Sequence, residues 1–253
     1  MKRFLLIMSL FLVLTSLLPA QDAEGGLNIP LVDVSVRQPE TNRDMAFSIQ
    51  LLILLTVITL APSLMVIMTS FLRVSIVLDF VKRALNLQQV PPSSVLMGIS
   101  LFITLFIMWP TFEQIYEQAY QPFIEEEITV EELFTRGVGP IRYFMYKQVK
   151  DNPENIALFM NMQGLEQPET FADVPTYVLI PAFILNELKI AFQIGILIYI
   201  PFIIIDMVVA SILMSMGMIM LPPVMISMPF KLILFVLVDG WSLLTRQLVM
   251  SFL

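Results

Sequence analysis

The chain has no cysteine and no histidine. The first absence excludes disulfides and thiolate chemistry. The second removes the usual general base and the commonest metal ligand. Charge is also scarce. Only 14% of the 253 residues are charged, while 57% are hydrophobic. Soluble domains run at about 25% and about 45–50%. Strand signals are weak throughout. The composition is that of an all-α membrane protein.

The net charge of −7 is unevenly placed. Between Glu113 and Asp173 stand twelve acidic residues against four basic ones. No basic patch forms there, so nucleic acid is not an expected partner.

Residues 1–20 read as a signal peptide. Lys2 and Arg3 form the charged start, Phe4 to Leu18 the apolar run, and Pro19-Ala20 the cleavage edge. Residues 21–45, with Gly25-Gly26, Pro30 and Pro39, read as an external N-terminal tail.

Four apolar blocks follow: Ala46 to Phe71, Ser93 to Phe112, Tyr177 to Ile205 and Met207 to Val238. Each is long enough to be weighed as a span. The short linker 72–92 carries Arg73, Lys82 and Arg83 against Asp79, which places it in the cytoplasm. Region 113–176 then forms a small, acidic, helical extracytoplasmic domain, and 177–253 carries apolar helices 3 and 4. Within the acidic domain, Thr129 with Glu132 has the spacing of a capping box. Gly137, Gly139 and Pro140 are expected to end that helix. Asp151-Asn152-Pro153 marks a turn or a new helix start. Phe123, Phe134, Tyr143, Phe144 and Phe159 exceed what so small a domain buries alone.

The fourth block is unusual. Met214, Met216, Met218 and Met220 recur every second residue in loop 214–223, beside Gly217 and before Pro222-Pro223. An extended chain would place all four on one side. Gly217 and the two prolines oppose a continuous helix. Irregular backbone at membrane depth is tolerated where it is buried in protein or lines a cavity.

Four charges interrupt the last two blocks: Glu187, Lys189, Asp206 and Lys231. Such groups are costly in a membrane and usually face a partner or water. Glu187 and Lys189 are two apart and cannot face each other on one helix. Glu187 is expected to pair with Lys231, within one subunit or between neighbours. An aspartyl dyad of Asp206 and Asp239 lacks the glycine-rich setting such proteases use, so no catalytic residue, cofactor or metal is assigned. The alternating thioethers would suit Cu(I), which keeps a small-molecule or copper transporter as the alternative function.

Long stretches carry a resemblance to a known family. TSFLRVSIVLDFVKRAL from Thr69, QQVPPSSVLMGISLFITLFIMWP, PIRYFMYKQVK from Pro140, PAFILNELKIAFQIGI from Pro181 and PFIIIDMVVASILMSMGMIMLPPVMISMPFKLILFVLVDGW from Pro201 resemble the FliP family of flagellar export-gate proteins. The likeness runs from residue 46 to the last residue. It implies kinked apolar helices forming hairpins, in an inner-membrane subunit at the flagellar basal body. It further implies five copies assembling with FliQ and FliR subunits, with FlhA and FlhB alongside. Exported flagellar proteins would pass unfolded through the pore. The family's gasket maps onto Met218, Ile219 and Met220, with Ile219 where many relatives carry Met. Ile is stiffer at its branched carbon.

Overall fold

The computed structural model describes residues 42–87, 90–168, 170–218 and 221–252. The expected signal peptide, 1–20, and nearly all of the expected tail, 21–45, lie outside them. Among the described residues there are helices, turns and loops, and no strand. The all-α expectation holds.

Helix α1 is Asn42–Ile67, α2 is Phe71–Ala84 and α3 is Ser93–Ile115. A π-turn at Tyr116–Tyr120 carries α3 on into α4, Gln121–Ile124. Then come α5 (Val130–Val149), α6 (Pro153–Met162), a 3₁₀ turn at Phe171–Asp173, and α7 (Thr176–Ser215). Helices α8 (Pro223–Leu237) and α9 (Gly240–Met250) close the chain.

Residues 42–54 belong to a unit separate from 55–253. They form the first half of α1, and their apolar side chains, Phe47 and Leu52 among them, are exposed.

Within the second unit, the core is built on α2 and α7. The basic linker 72–92 contains a helix that the block reading passed over. Val74, Val77, Leu78 and Val81 recur at helical spacing and are all buried. They pack chiefly on α7, and α3 covers another side of α2. Gly195 of α7 permits the closest approach. A Cβ there would stand 2.6 Å from the Phe80 ring of α2. In lipid, burying apolar surface gains little, so close packing over small residues supplies the adhesion.

Helix α7 corrects the block boundaries. It runs 40 residues without interruption, through Pro181, Pro201 and Asp206. Asp206 therefore does not separate two elements. At 1.5 Å per residue α7 is about 60 Å long, twice a hydrocarbon core of about 30 Å. Its halves differ accordingly. Val178, Leu179, Ala182, Phe183, Asn186, Glu187 and Ala191 are buried in the first half, but only Phe202 and Leu213 beyond Pro201. Helices α5 and α6 also pack on α7.

Helix α5 corrects a second expectation. Thr129 does form the capping box, its Oγ1 accepting from the Glu132 N–H (3.3 Å) and its own N–H donating to Glu132 Oε2 (3.0 Å). Gly137, Gly139 and Pro140 do not end the helix, which continues to Val149. Proline forfeits one backbone donor, and packing outweighs that loss here. Pro140 is itself buried, and Gly137 lies beside Ala119 of the π-turn. The helix start after Asn152 is present as α6.

Among the described residues two helices, Ser93–Ile124 and Thr176–Ser215, are long and apolar enough to cross a membrane. The pair α8 and α9, bent by 65° at Val238-Asp239, would make a third. Asp239 takes the left-handed conformation at that bend (φ 50°). Gly240 follows because a Cβ there would collide with the Phe235 ring.

Candidate functional site

Helices α7 and α8 form a hairpin whose tip is the methionine loop. The tip begins with a left-handed cap. Gly217 sits at φ 74°, its N–H donating to Met214 O (3.0 Å), and the Met218 N–H donates to Leu213 O (3.0 Å). This pair of bonds is a Schellman motif, and glycine adopts its conformation without a Cβ penalty. Pro222 and Pro223 then start α8, where a missing N–H costs nothing. Met214 and Ser215 belong to α7, so the chain is not extended through the whole methionine run. Met214, Met216 and Met218 are exposed. Ile219 and Met220 lie outside the described residues.

Below the tip, a polar clamp joins the two arms. Lys231 of α8 is buried and donates from Nζ to Asp206 Oδ2 of α7 at 2.6 Å. Ser227, one turn before Lys231, donates from Oγ to Asp206 Oδ1. Lys231 also donates to the carbonyl of Ala84 at 3.2 Å. Ala84 is the last residue of α2, so the ammonium satisfies an orphan carbonyl at the negative end of that helix. One lysine thereby ties α2, α7 and α8 together.

A second polar node fixes the other half of α7. Arg73 of α2 is 1% exposed and Glu187 of α7 is fully buried. Arg73 Nε donates to Glu187 Oε2 (2.8 Å) and Nη2 to Oε1 (2.5 Å), a two-point fork. Nη1 donates to the Ser251 carbonyl (2.8 Å) and to Ser251 Oγ (3.0 Å). Nη2 also reaches Gln148 Oε1 of α5 at 3.3 Å. All five guanidinium N–H groups therefore have acceptors. The guanidinium stands 3.8 Å from the centre of the Phe252 ring, a cation–π contact.

The expected Glu187–Lys231 pair is thus not formed. Each residue has a different partner in the same chain, because α2 packs along α7 and supplies Arg73 near one end and Ala84 at the other. Lys189 is separate again. It is half-exposed and binds Asn152 Oδ1 of the α5–α6 connection and Glu154 Oε1 in the first turn of α6, both at 3.1 Å. The Glu154 carboxyl is held below its ordinary pKa, first by its own backbone N–H and then by Lys189. Asp206 and Asp239 do not share a site: Asp206 is engaged by Lys231 and Ser227, and Asp239 precedes α9.

The expected site residues do not include Arg73, Gln148, Ser227, Ser251 or Phe252. Two had a local signal. Arg73 adjoins the apolar stripe of α2, and Ser227 stands four residues before Lys231, on the same helix face. Gln148, Ser251 and Phe252 carried none.

The sequence model of the FliP family matches residues 54–248. The chain belongs to the FliP family. Among its relatives is the flagellar biosynthetic protein FliP of Treponema denticola, 67% identical over 225 residues, 89% of this chain and 83% of that protein. That of Borreliella burgdorferi is 57% identical over 249 residues, 96% and 97% of the two chains. That of Bacillus subtilis is 50% identical over 209 residues, 83% and 94%. The FliP-family match takes in both polar nodes up to Leu248 and the whole methionine loop.

Proposed function

We propose that this chain is a structural, non-enzymatic subunit of the flagellar type III protein export gate. Its methionine loop closes the pore through which unfolded flagellar subunits cross the inner membrane. One observation carries the reading. The α7–α8 hairpin is clamped at Asp206, Ser227 and Lys231, while its tip exposes Met214, Met216 and Met218. A rigid arm with a soft tip is what a deformable seal requires. Thioether side chains are flexible and polarizable. A ring of them from several copies can close by mutual contact and repack around a passing chain. The gasket positions are Met218, Ile219 and Met220.

The exposed apolar surface supports an assembly. Much of α7 beyond Pro201 and of α8 is apolar and uncovered, as are Phe134 and Tyr143 in the acidic region. Large patches of this kind mark partner or membrane contact. Five copies with FliQ and FliR subunits, and FlhA and FlhB nearby, are the proposed partners. The gate sits in the inner membrane at the basal body, with 113–176 outside the cytoplasm.

Small-ion leakage through the assembled complex tests the reading. Changing Met218, Ile219 and Met220 to Gly should raise leakage while assembly survives. Unchanged leakage in an intact assembly would remove the loop from the seal. Stoichiometric Cu(I) binding, lost with the same residues, would favour the transporter alternative.

A further inference from the structure

A cavity of about 1040 Å³ opens where α2 ends, α3 begins and α8 starts. Neither the gate reading nor the two polar nodes use it. Its polar side is rich in donors. Lys82 has no carboxylate partner among the described residues and meets only the Ser93 hydroxyl, at 3.4 Å. Arg83 gives Nε to Asp79 at 2.7 Å, which leaves its two Nη groups without an acceptor among the described residues. Asn86 also lines the cavity. Ser93 is the first residue of α3, a 23-residue helix, so the positive end of its dipole faces the same space. Asp79 is the opposing charge in the lining.

The other side is apolar. Val224, Met225 and Met228 of α8 form the far wall. The position matters as much as the lining. Ser93 begins a helix long enough to cross a membrane. The donors therefore stand at the end of a span, where headgroups lie. Basic pockets between spans recognise anionic headgroups.

We propose that this cavity binds an anionic phospholipid. Its phosphate is held by Lys82, Arg83 and Ser93, and an acyl chain lies along Val224, Met225 and Met228. The apolar wall distinguishes a lipid from free phosphate, which would leave it bare. The inference does not depend on the methionine loop being a seal.

The test is retention of lipid by the purified full-length chain from bilayers of equal phosphatidylglycerol and phosphatidylcholine, read by native mass spectrometry. Phosphatidylglycerol should be retained preferentially. K82Q/R83Q should lower its retention by about thirtyfold and leave phosphatidylcholine unchanged. Asp79→Asn, at an exposed site, should raise retention, so a poorly folding double variant cannot decide the matter alone. Equal retention of the two lipids, or wild-type retention by K82Q/R83Q or D79N, would overturn the proposal. Displacement by inorganic phosphate alone would assign the donors to free phosphate. Protection of Lys82 from acylation only when partner subunits are present, with no lipid retained, would assign the cavity to a protein.

Discussion

Arg73 and Glu187 stand 114 positions apart in sequence and meet as a buried two-point ion pair. Neither side chain reaches solvent, and the arginine also holds Gln148 and Ser251. The pair joins α2, α5, α7 and the segment after α9 at one point.

Removing one partner should therefore cost more than removing both. R73M or E187L alone leaves a buried charge unpaired, with a loss of about 3–5 kcal/mol. R73M/E187L should recover most of that loss. Unfolding of the purified chain in detergent, read as a double-mutant cycle, checks it. Additive losses would mean that the two charges act independently. R73K should resemble R73M more than wild type, because an ammonium cannot make the fork.

Gly195 tests the contact between α2 and α7. G195A sets a methyl 2.6 Å from the Phe80 ring, which also makes edge contacts with Phe192 and Tyr199. Overpacking of this kind costs about 1–3 kcal/mol. F80A/G195A should be less destabilised than the sum of its single changes, in the same unfolding assay.

Gly217 tests the hairpin tip. Among the described residues nothing beyond its chain neighbours lies within 4 Å of a Cβ built there, so the demand for glycine is conformational (φ 74°). G217N should be tolerated, because asparagine enters the left-handed region. G217V should cost about 1–2 kcal/mol, because a β-branched residue is strained in that region. It should also raise ion leakage in the assembled complex through a displaced loop. Equal behaviour of G217N and G217V would show that the cap does not set the loop.

Acid should loosen the region that begins with α5. The Glu132 carboxyl is held below its ordinary pKa, first by the Thr129 backbone N–H. Its folded pKa is depressed. The stabilisation is therefore present above the unfolded pKa and lost as pH falls through the folded value. Glu154, also depressed, acts with the same sign. E132Q should flatten the acid limb of a stability–pH curve for this region, followed by hydrogen exchange of residues 130–134. An unchanged acid limb would detach the capping box from the pH response.

Legibility followed the range of the interactions involved. The Thr129–Glu132 box, the stop at Gly217 and the restart at Pro222-Pro223 lie within a few residues, and all were readable. The helix ends assigned to Gly137–Pro140 and Asp206 were not, because packing on Ala119 and the ties of Asp206 to Ser227 and Lys231 of α8 override local propensity. The buried charges show in the sequence that they need partners, but nothing local points Glu187 to Arg73. Arg73 reads as one of the basic residues that set orientation, although it lies inside.

The sequence by itself determined the class of molecule: apolar helices, a helix break rich in methionine, four charges in need of partners, and membership of the FliP family. Composition and short-range pattern suffice for the first three, because each depends on a residue and its near neighbours; the family rests on likeness along residues 54–248. Only the tertiary structure decided that α7 is one helix, that Arg73 satisfies Glu187, and that Lys231 closes the α7–α8 hairpin on Asp206 and Ala84. Those choices depend on which helices touch. Residues separated by 25 to 178 positions meet there, and no local pattern selects among the pairings available to a buried charge.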